Sequence, residues 1–357
     1  MRQATVYIDR EALQYNLNRV KQLAPNTQIV SMVKANAYGH GVKDCLVALK
    51  STDAFGVACL EEALEIRELG YQHPITLIEG VFSEDEMHVV VEQKIECVIH
   101  HAQQVEWLQA HKAAYIGQGL KVWVKLNSGM NRLGFKVPEI IDVIHSLKAE
   151  GFTCVLTMHF ANADAEQHPL NERQKQQFLH VKEACSPILA SCCNSAAIYQ
   201  WPELHFDFVR PGIMLYGASP FADKTVHELD LKPVMTFTAE IIALNHIQAG
   251  EFVGYGSTFV ADQAMQIAIV SIGYGDGYPR AFPKQNYVAI NGQITRVIGR
   301  VAMDMIAIDV TNLNAPLGTE VELWGKDRLV DDVAEANGTI GYELLCRMSN
   351  RPLRKVK

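Results

Sequence analysis

Several charged and hydroxyl-bearing residues in this 357-residue chain fall just after apolar, strand-like runs. Lys34 closes the run Gln28-Ile29-Val30-Ser31-Met32-Val33 and is followed by Ala35-Asn36-Ala37-Tyr38-Gly39-His40-Gly41. Such a lysine is either a surface residue at a strand end or an amine in a partly dry pocket. Desolvation lowers an amine's pKa, and the neutral form attacks aldehydes, so the second reading is a Schiff-base lysine. Tyr38, four residues on, offers a hydroxyl to an anion. Lys125 and Arg132 lie at and after another apolar run, His159 ends a third, Asn194 and Ser195 follow a fourth, and Arg210 follows a fifth. The segment Arg210-Pro211-Gly212-Ile213 reads as a strand, a turn and a short helical start whose N–H groups suit a phosphate, or as an ordinary strand-ending turn.

The elements that carry these residues alternate. Strand candidates are 28–33, 54–58, 75–78, 95–99, 120–126, 152–159, 187–193 and 206–209, and most are followed by a helical pattern. Eight such units in about 200 residues favour a (β/α)8 TIM barrel over an open doubly wound sheet. An extra helix, capped by Asp9 and marked by Leu13, Leu17 and Val20, precedes them. The C-terminal ends of barrel strands form the active face, and the residues above converge there.

From about Leu231 the period changes. Strands are expected at 235–243, 266–272, 287–290, 293–298, 305–310 and 321–324, with an Asn291-Gly292 hairpin turn. Helical patterns return at 330–336 and 342–348. This is a mostly-β domain of α/β type overall: residues 1–230 as the barrel, 231–357 as the second domain, divided at a polar stretch near Phe221–Asp230.

Composition agrees with about two domains. Apolar residues make up 48% and charged residues 20%, with a formal net charge of −8. An acidic chain without a basic run argues against nucleic acid. No apolar stretch approaches the roughly 18 residues of a membrane span. The start, Met1-Arg2-Gln3-Ala4-Thr5, lacks a leader-like apolar region, so a cytoplasmic location is expected. None of the eight cysteines forms C-x-x-C, and they read as buried free thiols. Neither Cys192-Cys193 nor His100-His101 has an accompanying ligand cluster, so no metal is expected. Glu61-Glu62 with Glu65 and Glu68 reads as a solvated helix face.

Val33–Gly41 is similar to the signature of the pyridoxal-phosphate alanine racemases. Further blocks agree in order: 125–134, 159–161, 194–196, 210–217, 253–256, 273–277 and 299–304. The resemblance spans essentially the whole chain. It implies a barrel plus β domain, pyridoxal 5'-phosphate as cofactor, and a head-to-tail homodimer with shared active sites. Activity would be two-base interconversion of L- and D-alanine, supplying D-alanine for peptidoglycan, with no nucleic acid or membrane partner.

The resemblance also implies residue roles. Lys34 would bond the cofactor aldehyde and act as base on the D-alanine face. Tyr255 from the partner would be the base on the L-alanine face. A phenol with a pKa of about 10 needs cationic surroundings to act so, and His159 and Arg210 are the family's route. Taken alone, Tyr255 is a loop tyrosine between glycines. Arg210 would face the pyridine nitrogen; an arginine only donates, which weakens the electron sink. Tyr38, Ser195, Gly212 and Ile213 would hold the phosphate, with Tyr216 or Tyr342, and Asn194 would help to bind the cofactor. Arg132 and Met303 would bind substrate. Lys125, carbamylated in some relatives, would hold Arg132, while Tyr274, Arg300 and Asp304 would support the entrance.

One departure is Asn350, in Met348-Ser349-Asn350-Arg351-Pro352-Leu353, where relatives often place a tyrosine. It makes a serine side activity plausible. Rival readings are a basic-amino-acid decarboxylase of the same architecture, which would bring a partner cysteine, and a cofactor carrier, which would lack the second domain.

Overall fold

A computed structural model of the chain describes residues 4–357; Met1–Gln3, read above as part of a leaderless start, lie outside the described residues. Eight parallel strands form the first sheet: Gln28–Met32, Ala54–Val57, Ile75–Leu77, Glu96–Ile99, Lys121–Lys125, Thr153–Thr157, Leu189–Ser191 and Phe208–Val209. Each pairs with the next through the seventh, and the first also pairs with the last, Ile29 opposite Val209. Single hydrogen bonds join the seventh and eighth strands: Arg210 N–H to Cys193 O at 2.9 Å and Asp207 N–H to Ala190 O at 3.2 Å. The sheet therefore closes into the expected barrel.

Strands of a parallel barrel are apolar on both faces. Val30, Ala54, Val98, Trp123, Val155 and Phe208 form one buried cluster. Ile29, Phe55, Val57, Val122, Val124 and Leu156, on the alternate positions, pack in the main core with the surrounding helices. The helix Arg10–Leu23 is capped as expected, Asp9 Oδ1 accepting the Ala12 N–H at 2.9 Å. Several strands stop earlier than their apolar runs suggest. The run 152–159 pairs only as Thr153–Thr157, because the Met158 carbonyl turns to accept a hydrogen bond from Arg210.

The second sheet is mixed and contains Met235–Ile247, Met265–Val270, Tyr287–Ile290, Gln293–Ile298, Ile306–Asp309 and Glu320–Trp324. Met235–Ile247 pairs with Glu320–Trp324 and, past an irregularity near Ile241, with Met265–Val270, so it takes part on two sides. Asn291 and Gly292 make the expected hairpin, with φ of 50° and 78°. Thr5–Ile8, too short to stand out by alternation, joins this second sheet between Met235–Thr238 and Leu353–Val356. The chain thus enters and leaves through the second sheet.

Six cysteines are buried as expected, but Cys59 is half-buried and Cys346 is exposed. Among the described residues no helix is long and apolar enough to cross a membrane.

The helices Val330–Asn337 and Gly341–Cys346 return to the barrel. There the Asp331 carboxylate accepts the Ser219 N–H at 3.0 Å. Burial pushes the Asp331 carboxyl up to about 6, against the pull of that N–H and with help from Asp332. A raised folded pKa means a stabilising contribution that is complete below the unfolded value and lost as pH rises through about 6. Asp331→Asn keeps an oxygen for the Ser219 N–H without the charge. It should match the parent near pH 4 and exceed it by about 1–2 kcal/mol at pH 8. Urea melts at both pH values would read this, and a pH-independent difference would contradict it.

Candidate active site

The residues after Lys34 depart from any ordinary turn. Ala35, Asn36, Ala37 and Tyr38 have φ of 53°, 53°, 54° and 51°, a full left-handed turn of non-glycine residues. Left-handed L-residues cost about 1–2 kcal/mol each and normally occur singly, so surrounding contacts must hold this turn. Asn36 Oδ1 accepts the Val42 N–H at 2.8 Å, and Gly39 N–H reaches Ala35 O at 2.9 Å. His40 Nδ1 lies 2.9 Å from Tyr38 O and 3.1 Å from Ala37 O, and Arg354 donates to Gly39 O at 2.8 Å. Gly39, with φ 76°, packs so tightly that a Cβ would lie 1.9 Å from Leu345 O. The sequence indicated a glycine-bearing turn here but not its handedness.

The turn opens into a cavity of about 290 Å3 at the C-terminal end of the barrel, close to the roughly 300 Å3 at which small-ligand sites begin. Its walls hold Lys34, Tyr38, Lys125, Arg132, His159, Asn194, Ser195, Arg210, Gly212, Ile213 and Tyr342. Eleven predicted site residues, drawn from distant parts of the chain, therefore meet. Met32, Ala35, Ile78 and Cys346 complete the lining and were not foreseen as site residues. Hollows of about 620 and 630 Å3 open elsewhere on the surface, but the titratable groups lining them are exposed.

On one side, Ser195 Oγ accepts the Gly212 N–H at 2.9 Å. A Cβ on Gly212 would come within 2.4 Å of the Tyr38 hydroxyl, so only glycine lets that backbone approach so closely. Burial raises the Tyr38 phenol well above its ordinary value, which keeps its O–H as a donor. Tyr216 stacks on Tyr38 at 4.8 Å and gives its own hydroxyl to Met32 O at 2.8 Å. Tyr216 thus supports Tyr38 from outside the cavity, and of Tyr216 and Tyr342 only Tyr342 lines the wall. A hydroxyl pair beside a free-approaching backbone is a cradle suited to phosphate.

At the cavity floor, Arg210 donates to Thr157 Oγ1 at 3.0 Å, to Ser191 Oγ and to Met158 O. These partners are neutral, and the guanidinium is buried. Thr157 and Ser191 were missed in the sequence; hydroxyls at the ends of neighbouring barrel strands were the available signal. Asn194 caps the helix Ser195–Gln200 and has its amide nitrogen 3.5 Å from His159 Nε2.

Four cations line this cavity and, among the described residues, no carboxylate does. Burial, then repulsion from Arg210, Lys125, Arg132 and Lys34, holds His159 well below its ordinary value, so the ring is neutral. Burial and the Arg210, Arg132 and Lys34 charges bring Lys125 down to about 8. Such a site suits a ligand carrying phosphate and carboxylate groups. Among the described residues no group of three or more His, Cys, Asp or Glu side chains is arranged to hold a metal.

Tyr255, Tyr274, Arg300, Met303 and Asp304 lie outside this cavity, on the second domain. Tyr255 is 72% exposed and Met303 52%. They nevertheless form one neighbourhood. The Tyr255 loop lies against Arg300, whose Nη1 is 2.9 Å from the position a Gly256 Cβ would take. Tyr274 N–H reaches Ala302 O at 3.1 Å, Gly275 N–H reaches Met303 O at 3.0 Å, and Arg351 donates to Asp304 at 2.6 Å. Asn350 is exposed and is not part of the cavity wall.

Comparison with known proteins follows the same division. A family model described as "Alanine racemase, N-terminal domain" matches residues 8–220, and one described as "Alanine racemase, C-terminal domain" matches residues 234–356. The chain is 49% identical to an alanine racemase of a Psychrobacter species, covering 100% of both chains. It is similar to the solved alanine racemase of Acinetobacter baumannii, 80% identical with a TM-score of 0.99 and 100% coverage of both. The alanine racemase of Bartonella henselae, solved with covalently bound pyridoxal phosphate, is 28% identical with a TM-score of 0.88, covering 99% of both chains.

Carbamylation at Lys125 requires the neutral amine, whose population grows as pH rises through about 8. With bicarbonate present, native mass spectrometry should detect the mass of one CO2 on the Lys125 peptide, rising from pH 7 to pH 9. An unmodified Lys125 at pH 9 would contradict it.

Proposed function

The chain belongs to the alanine racemase family, and from that premise we propose that it interconverts L- and D-alanine with pyridoxal phosphate, in sites shared by two copies of the chain. The single observation that carries this reading is the four-cation cavity around Lys34 at the barrel end. Residues 1–230 would bind the cofactor and residues 231–357 would serve the partner's site.

The residues present fit the cofactor. Lys34 supplies an amine, Ser195, Tyr38, Gly212 and Ile213 a phosphate cradle, and Arg210 a buried donor. When bound, pyridoxal phosphate supplies the electron sink that makes the alanine Cα–H acidic. Arg210 has only N–H groups to offer, and its clamp of Thr157, Ser191 and Met158 fixes their direction. It can donate to a ring nitrogen but cannot accept from one. That keeps the sink weak and disfavours transamination. Arg132 and Met303 of the partner subunit would hold the substrate carboxylate.

Two bases suit a racemase, because one face of Cα must lose a proton while the other gains one. Lys34 Nζ would serve the D-alanine face, and Tyr255 Oη of the partner subunit the L-alanine face. The exposure of Tyr255 within one chain supports its use by a second chain. Neutral His159, which feels the Arg210 charge, would pass its influence to that phenol. Supply of D-alanine to peptidoglycan in the cytoplasm is the cellular role that follows.

The roles separate by substitution. Lys34→Ala should lose nearly all activity, and Tyr255→Phe should retain the cofactor but slow racemisation by about 10²–10⁴-fold. Mixing the two inactive variants should restore part of the activity, since one site of a mixed dimer carries both bases. Chiral chromatography of L-alanine incubations measures this. No recovery on mixing, with subunit exchange confirmed by mass, would count against the shared site, and an unimpaired Tyr255→Phe would end the two-base assignment.

A further inference from the structure

The helix Leu60–Glu68 was expected to present Glu61, Glu62, Glu65 and Glu68 to solvent. Three of them are exposed, but Glu62 turns inward. Its Oε1 accepts the Ala35 N–H at 2.6 Å, and its Oε2 accepts the Ala58 N–H at 2.8 Å. Ala35 directly follows Lys34 and is the first residue of the left-handed turn. Ala58 directly follows the second barrel strand, Ala54–Val57. One carboxylate thus fastens the strained turn to the barrel wall.

The two bonds differ in what they serve. The Ala58 bond organises the start of the helix that carries Glu62. The Ala35 bond holds a residue that is itself exposed, and among the described residues no backbone carbonyl takes its N–H. The turn's other contacts hold Asn36 to His40, so loss of the Glu62 bond would leave the Ala35 N–H, at the end next to Lys34, without its acceptor. The Tyr38 hydroxyl sits so close to Gly212 that little displacement is tolerated.

The geometry points to Glu62 as a positioning residue for Lys34: its carboxylate, by holding the Ala35 N–H, fixes the turn that aims the lysine amine and the Tyr38 hydroxyl into the cavity. This rests on the reading of Lys34 as the cofactor lysine. Glu62 does not line the cavity and bonds only to backbone N–H groups, so it would act through the backbone. A purely capping role would require the Ala58 bond alone and would leave Lys34 as it is.

The test compares full-length Glu62→Ala and Glu62→Gln with the exposed control Glu65→Ala. Amide exchange is followed at Ala35 in the cofactor-free chain. Titration with pH of the visible absorbance of the Lys34-bound cofactor, kcat and KM are followed in the loaded enzyme. A hydrogen bond to a charged acceptor protects strongly, so Glu62→Ala should speed Ala35 exchange by about tenfold or more. It should also shift the absorbance midpoint and lower kcat by about tenfold, with KM for alanine changed by less than about twofold. Glu62→Gln keeps one acceptor oxygen and should fall between, and it carries the test if Glu62→Ala does not fold. A Glu62 variant that only lowers the melting temperature, with Ala35 exchange, midpoint and kcat matching Glu65→Ala, would overturn the proposal. A parent chain that binds no pyridoxal phosphate would overturn the functional reading instead, while Ala35 exchange would still decide whether Glu62 holds the turn.

Discussion

Four positive side chains, Lys34, Lys125, Arg132 and Arg210, crowd one small cavity at the end of the barrel, and the rest of the site is arranged around that repulsion. Burial first, and then that repulsion, brings Lys125 down to about 8 and holds His159 well below its ordinary value. Burying like charges together is unfavourable unless something anionic joins them. The Arg210 guanidinium is tolerated because two hydroxyls and a carbonyl satisfy it without cancelling its charge. A carboxylate there would have made a stable ion pair and a poorer anion site. The net charge of −8 says nothing about this, because no acidic side chain lines the cavity among the described residues.

A second constraint is geometric. The lysine that ends the first barrel strand is followed by backbone that L-residues avoid. Asn36, His40, Arg354 and Glu62 each hold one part of it. Those residues come from the turn itself, from the helix after the second strand, and from the last strand of the chain. Arg354 belongs to Leu353–Val356, which lies in the second sheet beside Thr5–Ile8. The second domain therefore braces the Lys34 turn of its own chain. Tyr255 and Arg300, exposed on that domain, are the residues proposed above to serve a second copy.

The barrel was legible in the sequence because each strand is a short apolar run followed by a helical period, and all eight runs became strands. Their ends were less legible, since a strand stops where its backbone finds another partner, as Met158 does in Arg210. Seven of the eleven cavity residues, Lys34, Lys125, Arg132, His159, Asn194, Ser195 and Arg210, were readable as polar positions at or past strand ends, while Tyr342 came only through the resemblance. Thr157 and Ser191 were not, because a hydroxyl inside an apolar run looks like a tolerated core residue. Handedness at Ala35–Tyr38 left no compositional trace beyond Asn36 and the glycines. Glu62 was misread because spacing on a helix shows which face a residue occupies, not whether its long side chain folds back. The second-domain residues were recognisable only through family resemblance, and no periodicity marks them.

The central claim is that this cationic pocket exists to hold pyridoxal phosphate by a bond to Lys34. Borohydride reduction of the full-length chain loaded with pyridoxal phosphate, followed by peptide mass mapping, tests it most directly. The account predicts one pyridoxyl-phosphate mass increment per chain, on the peptide containing Lys34 and blocked by Lys34→Ala. Labelling spread over surface lysines, or fixed on Lys125, would contradict it.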